Sequence, residues 1–301
     1  MPAPAGRPPR PLTFLGAPVD SVGRSGGTEH GPAALRELGL PAALGGADAG
    51  DLGVRIRGDE RDAETGIVAR ADVLATTATV RGAVAEMIRA RERPFLAGGC
   101  CSLVPGALAG ARDALGDVGL AYVDGHLDLY DGVTSPTGEA ADMPVAVALG
   151  FGPDAWVETA GGVSLTAART AIVGHRDQDE SRDYGMRQPE ELEIALHPSV
   201  EDVRVEGPGA AGRRVAEALA ATGPFWLHLD VDVLDEEVFP ATDYLMSGGM
   251  SWDELEPVLG PLLRSPDLCG VSLGCYNPEK DDAERSCGRA LVAALEAGVG
   301  G

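Results

Sequence analysis

Short apolar runs alternate with longer helical patterns along most of the chain. Residues 12–15 read as a strand, and Gly31-Pro32 opens a helix to about Leu38, with proline early, where a helix tolerates it. A second strand is expected at 51–54. The Ala-, Val-, Leu- and Arg-rich stretch 62–91 reads as a long helix that stops before Pro94. Residues 95–97 form the next strand, which breaks into Gly98-Gly99-Cys100-Cys101-Ser102 and a helix to about Ala114. Glycines at such a junction allow close backbone approach to a site. Further strands are expected at 120–124, 170–173, 203–205, 225–232 and 270–273. Helices are expected at 143–149, 180–198, 212–221 and 283–297, and from Ser251, whose partner Glu254 completes a capping box. This alternation predicts one α/β domain over 12–301, with a parallel sheet, helices on both faces and a site at the carboxyl ends of the strands. Residues 1–11, rich in Pro, Ala and Arg, read as a flexible tail.

Two of the apolar runs end in acids. Leu120-Ala-Tyr-Val-Asp124-Gly-His126-Leu-Asp128 sets Asp124, His126 and Asp128 at i, i+2 and i+4. In a continued strand these side chains would share one side of the sheet. Later, Phe225-Trp-Leu-His228-Leu-Asp230-Val-Asp232-Val-Leu-Asp235 repeats the pattern. A single Asp-x-Asp is usually a loop or a cap. Two clusters, each closing a buried-strand pattern, point instead to one or two divalent cations held by oxygen and imidazole. Converging buried charges are costly unless paired or bound to a cation.

Composition narrows the partners. Lys plus Arg is 24 and Asp plus Glu is 47 in 301 residues, a net charge of −23. A chain this acidic is not expected to seek nucleic acid or an anionic membrane; a small cationic molecule or a metal suits it better. Five cysteines, two of them adjacent, argue against a disulfide framework and for a reducing cytoplasm. No apolar run is long enough for a transmembrane helix, and the start lacks the apolar core of a signal peptide. The loop Gly23-Arg-Ser-Gly26-Gly27 has no Gly-Lys-Ser/Thr ending, so a phosphate loop is not expected.

These motifs resemble the ureohydrolases: arginase, agmatinase and formimidoylglutamase. The family's Gly-Gly-Asp-His-Ser turn reads here as Gly98-Gly99-Cys100-Cys101-Ser102, and its Asp-Ala-His-x-Asp strand end as Asp124-Gly125-His126-Leu127-Asp128. Its Asp-x-Asp-x-x-Asp reads as Asp230 to Asp235, and its late Glu-x-Asn-Pro as Cys275-Tyr276-Asn277-Pro278. The likeness covers nearly all of the chain from Leu12. It implies a three-layer α/β/α fold with a mostly parallel central sheet. It also implies two manganese ions bridged by a hydroxide that attacks a guanidinium-type carbon. Carried over by position, Asp124 and Asp230 would bridge the metals, His126 and Asp232 would complete one site, and Asp128 and Cys101 the other. Asp235 would close the strand-end turn. A homo-oligomer, trimer or hexamer, is the family expectation.

The departures reshape the expected chemistry. The family's His ligand falls on Cys101, which is either a soft ligand better suited to zinc or iron or a small buried residue that binds nothing. The arginase proton shuttle falls on Ala141, and the residues that hold a carboxylate fall on Tyr130 and Thr137. The guanidinium-binding Glu falls on Cys275, which cannot form a charge-assisted bidentate pair. Asp179 matches the acid that receives a substrate amino group. With Glu139 and Asp142 it would make an acidic mouth that attracts amines, although each alone is as a rule a solvated loop charge. The leading expectation is a cytoplasmic, metal-dependent hydrolase of a C–N bond in a linear, amine-bearing guanidine or amidine, with Glu139, Asp142 and Cys275 as catalytic candidates. The alternative is a catalytically silent member that keeps the fold and binds metal or ligand. A zinc-dependent deacetylase ranks last.

Overall fold

The structure is a computed structural model that describes residues 11–21 and 26–300. The expected tail, except Pro11, and most of the Gly23–Gly27 loop lie outside the described residues. Seven strands form one sheet: β1 (Leu12–Ala17), β2 (Asp48–Asp51), β3 (Arg93–Gly98), β4 (Gly119–Val123), β5 (Thr170–Val173), β6 (Phe225–Asp230) and β7 (Leu268–Gly274). Their order is β2-β1-β3-β7-β6-β4-β5, and every described pairing is parallel. Every residue of β4, β5 and β6 is buried, as a parallel sheet covered on both faces requires.

The helices are α1 (Gly31–Glu37), α2 (Leu40–Ala43), α3 (Arg70–Arg89), α4 (Val104–Leu115), α5 (Pro144–Leu149), α6 (Asp154–Thr159), α7 (Gln178–Asp183), α8 (Val200–Glu206), α9 (Pro208–Ala220), α10 (Trp252–Leu263) and α11 (Ser286–Gly300). Packing of α3 on α4, and of α9 on α10 and α10 on α11, builds the two outer layers of the three-layer α/β/α fold. None of these helices is long and apolar enough to cross a membrane.

Several expected elements fall elsewhere, each for a local reason. The second strand lies at Asp48–Asp51 rather than 51–54. Residues 62–69 are not helical: Asp62 accepts hydrogen bonds from the Thr65 N–H and hydroxyl, and Gly66 turns the chain at φ 72°. The expected strand at 203–205 lies inside α8, because a Ser199–Asp202 capping box starts a helix there. The expected helix over 180–198 is only α7, ended by Gly185 at φ 77° and followed by Pro189. The sequence pattern also leaves α6 unassigned.

The two acidic runs are corrected in the same way. β4 ends at Val123, and Asp128 sits at φ 49°, so the Asp124–Asp128 cluster is a loop and not a continued strand. β6 ends at Asp230, and a 3₁₀ turn (Val231–Val233) carries Asp232. The turn itself is closed by the Leu234 N–H donating to the Val231 carbonyl, and Asp235, just beyond it, accepts from the N–H groups of Glu237, Gly248 and Gly249 and ties the following loop to the 248–249 segment.

At the junction after β3 a glycine allows a close backbone approach, to Val19. A Cβ on Gly99 would lie 1.4 Å from the Val19 carbonyl oxygen, so the backbones touch where the chain turns toward Cys101. Gly99→Ala is therefore expected to cost about 1–3 kcal/mol of stability by overpacking. Urea unfolding of the variant checks this, and an unchanged midpoint would contradict the close approach.

Candidate metal centre and cavity

Four adjacent strands in the middle of the sheet each end at one point. β3 leads to Cys101, β7 to Cys275, β6 to Asp230 and the turn carrying Asp232, and β4 to Asp124 and His126. Asp124, Asp230 and Asp232 are 1%, 1% and 3% exposed. The turn backbones hold them in place. Asp124 accepts from the His126 N–H at 2.7 Å and Asp230 from the Asp232 N–H at 2.8 Å. Asp232 accepts from the Gly125 N–H at 3.2 Å, which ties the two acidic segments together. Arg176, which the sequence pattern does not single out, donates to the carbonyls of Asp232, Leu234 and Met246 and pins the second turn.

Two donor groups result. In one, His126 Nδ1 lies 3.2 Å from Asp232 and 3.5 Å from Asp124. In the other, Cys101, Asp124, His228 and Asp230 bring donor atoms within 4.8 Å of one another. Cys101 Sγ is 2.7 Å from Asp230 Oδ2, 3.7 Å from Asp124 Oδ2 and 3.3 Å from His228 Nε2. His228 has no place in the ligand set expected from the sequence. The signal was available, since it stands two residues before Asp230 in a strand and therefore faces the same side. Asp128 belongs to neither group; its carboxylate accepts the Tyr122 hydroxyl and borders the cavity.

The electrostatics follow from burial without compensation. Burial and the charge of Asp232 push Asp124 up to about 6. Burial, then the charges of Asp232 and Asp124, push Asp230 well above the carboxylate range. For His126, burial favours the neutral ring, but the charges of Asp232 and Asp124 outweigh it and raise its pKa. His126 in turn holds Asp232 low despite burial. Burial takes His228 down to about 3 against the opposing charge of Asp232, a shift that favours a neutral ring. Burial and neighbouring thiol and acid groups raise Cys101 well above its ordinary value. The donor set fits divalent metal: carboxylates and imidazoles are packed together, and the carboxylates outnumber the side chains that can carry positive charge.

Above these groups opens a cavity of about 490 Å³. Tyr130, Thr137, Glu139, Asp142 and Cys275 line it, as do Asp177 and Glu180. No lysine or arginine is among the described lining residues. Asp142 accepts from Ser135 and Thr137, and burial raises its pKa. Glu139 accepts the Tyr244 hydroxyl. Asp179 does not reach the cavity: its side chain is fully exposed, 3.4 Å from Arg182. Asp177, two residues earlier and just past β5, takes the wall instead. Its carboxylate is buried, Oδ2 accepts the Leu127 N–H at 3.2 Å, and Oδ1 has no hydrogen-bond partner. Cys275 stands at φ 66°, its N–H donating to Gly99, with its sulfur 3.9 Å from that of Cys101.

Known proteins resemble this chain over nearly its whole length. Arginase from Brevibacillus brevis is 27% identical over 299 residues, covering 96% of this chain and 97% of that one. The solved arginase of Bacillus caldovelox superposes with a TM-score of 0.85 at 22% identity, over 97% of this chain and 98% of that one. The arginase structure from Bacillus cereus gives 0.83 at 22% identity, over 96% and 98%. At that identity the structural likeness speaks for the fold. The sequence model described as Arginase family matches residues 10–297, and on that match the chain belongs to the arginase family.

Proposed function

We propose that this protein is a metal-dependent hydrolase of a C–N bond in a small linear guanidine or amidine that also carries an amine. The observation that carries the reading is the cavity itself. Its floor is a buried carboxylate and imidazole cluster, and its described lining has many acids and no lysine or arginine. Relatives named arginase, and one named N(omega)-hydroxy-L-arginine amidinohydrolase, support the reaction class. A silent member would have no need of so costly a cluster open to a cavity.

Asp124, His126, Asp230 and Asp232 would hold manganese, since all four offer oxygen or imidazole donors. When bound, the metal lowers the pKa of water and polarises the substrate carbon. The chain's own residues supply the rest. Asp177, with an unpartnered carboxylate oxygen at the wall, would receive the substrate ammonium, with Glu180 beside it and the Glu139–Tyr244 pair across the mouth. Asp142, held by Ser135 and Thr137, would keep a proton for the departing amine. Tyr130 and Thr137 shape the passage. Cys275 presents a neutral thiol where a guanidinium would lie, which places the burden of charge recognition on the wall acids. All five cysteines are free, which supports a reducing cytoplasm. A homo-oligomer, trimeric or hexameric, completes the reading.

Two tests follow. A guanidine with an amine tail and no carboxylate should be a better substrate than L-arginine, and Asp177→Asn should raise its KM about ten- to hundredfold, the size of a charged hydrogen bond of ~1.5–3 kcal/mol. Urea release would measure both, and rapid turnover of L-arginine would defeat the acidic-wall reading. The second test is pH. Asp124 with its pKa raised to about 6 contributes stability to the metal-free fold that is present below the ordinary carboxylate range and lost as pH rises through about 6. Metal needs the carboxylate, so its affinity should fall at least about tenfold per pH unit once the pH drops below Asp124's pKa, because Asp230 and His126 must also give up protons. Calorimetric titration with manganese on either side of that pKa checks this; an affinity independent of pH would exclude Asp124 as a ligand.

A further inference from the structure

His228 is set inside β6, not in a loop, and its surroundings fix the ring. In register it pairs with Tyr122 on β4 and Ser272 on β7, so three polar side chains cross the middle of an otherwise apolar sheet. The Tyr122 ring stacks on it with centroids 4.8 Å apart. Ser272 Oγ lies 2.8 Å from Nδ1 and also accepts the Trp226 indole N–H at 2.9 Å. The Trp226 ring lies over Gly270, where any Cβ would fall 2.2 Å from it. With Nδ1 engaged by the serine, Nε2 points out of the sheet toward Cys101 Sγ, 3.3 Å away. An imidazole held through one nitrogen, with the other facing a thiol and two carboxylates, has the form of a metal ligand and its outer support.

We propose that Cys101, His228, Asp124 and Asp230 form a mixed sulfur, nitrogen and oxygen site that takes zinc in preference to manganese. The proposal rests on the metal-dependent reading above and assigns this half of the centre its own cation. A tetrahedral zinc with bonds of ~2.0–2.3 Å sets its donors roughly 3.3–3.8 Å apart. The distances from Cys101 Sγ to His228 Nε2 and Asp124 Oδ2, 3.3 and 3.7 Å, match that spacing. The 2.7 Å contact from Cys101 to Asp230 is that of a thiol donating a hydrogen bond; on binding, that proton leaves to solvent and the thiolate and carboxylate both turn to the cation. A thiolate with one imidazole selects zinc, cobalt or iron, whereas the His126 group has no sulfur and suits manganese. Tyr122 also engages the carboxylate of Asp128, which stands outside this donor group, whereas His228 Nε2 faces Cys101 directly.

Cobalt reports on the sulfur directly. The full-length protein, stripped of metal and kept reduced, is titrated with Co²⁺ and read by absorption, and zinc and manganese contents are measured after competition. The expected result is a near-ultraviolet sulfur-to-cobalt band, abolished in Cys101→Ser and kept in Cys275→Ser. Zinc should also be retained against excess manganese. His228→Asn should weaken zinc by at least about tenfold, the scale on which even the outer partners of a ligand act. The natural chain's spectrum needs no variant to fold. Cobalt bound without a sulfur band overturns this inference and leaves the hydrolase reading standing, as does a band that survives Cys101→Ser. A His228→Asn protein with unchanged zinc affinity overturns the role of His228. A chain that binds no divalent metal overturns both.

Discussion

Three carboxylates, Asp124, Asp230 and Asp232, are almost wholly buried at the ends of two neighbouring strands, and the surrounding structure is arranged around that cost. Ions taken out of water lose several kcal/mol each unless matched. One imidazole, His126, cannot match three acids. The response is visible in the directions of their pKa shifts. Asp124 and Asp230 are pushed toward the protonated form, while Asp232, paired with His126, stays ionised. Divalent cations would relieve the same strain without protonation. The turn N–H groups and the Arg176 clamp hold the segments in place, so the acids cannot separate to escape one another.

Sheet and layers were readable because parallel strands are apolar throughout and end abruptly in polar residues. That is why β3, β4, β5, β6 and β7 stand where the hydrophobic runs put them. What misled was local chemistry that overrides a pattern. Val203-Arg-Val205 looks like a strand, yet the Ser199 capping box makes it helix. The stretch 62–69 looks helical, yet the Asp62 side chain captures its backbone. Both overrides come from one or two short polar side chains bonding to nearby N–H groups, which composition windows do not register.

The site was legible in part for a related reason. Acids at strand ends reveal themselves by spacing, and the structure gathers Asp124, His126, Asp230, Asp232 and Cys101 in one place. The wall residues were harder. Asp177 and Asp179 both follow β5, and only the geometry of the turn into α7 decides which one faces the cavity and which one faces solvent. His228 was harder still. It lies within a run whose burial makes a core histidine the ordinary reading, and only the register with Tyr122 and Ser272 separates a supported, directed imidazole from a merely buried one.

That register also shows how a site can exchange donors without moving. Atoms meeting at the ends of adjacent strands can come from the loop above or from a position near the end of the strand below that faces the same side, and both reach the same few ångströms. Here the loop position after β3 carries sulfur, and the imidazole rises from β6 beneath it. Such an exchange needs room and an anchor for the ring. Gly274, paired with Asp230 on the neighbouring strand, provides room: a Cβ there would meet the Cys100–Cys101 backbone and the His228 ring at 3.3–3.5 Å. Ser272 provides the anchor, and Gly270 leaves space for the Trp226 ring that donates to it. Substitution of Cys101 alone would therefore alter the softness of the site but leave its imidazole in place, whereas loss of Ser272 would free the imidazole while keeping every donor. The character of this half of the centre depends on a row of residues within the sheet as much as on the residues that face the metal.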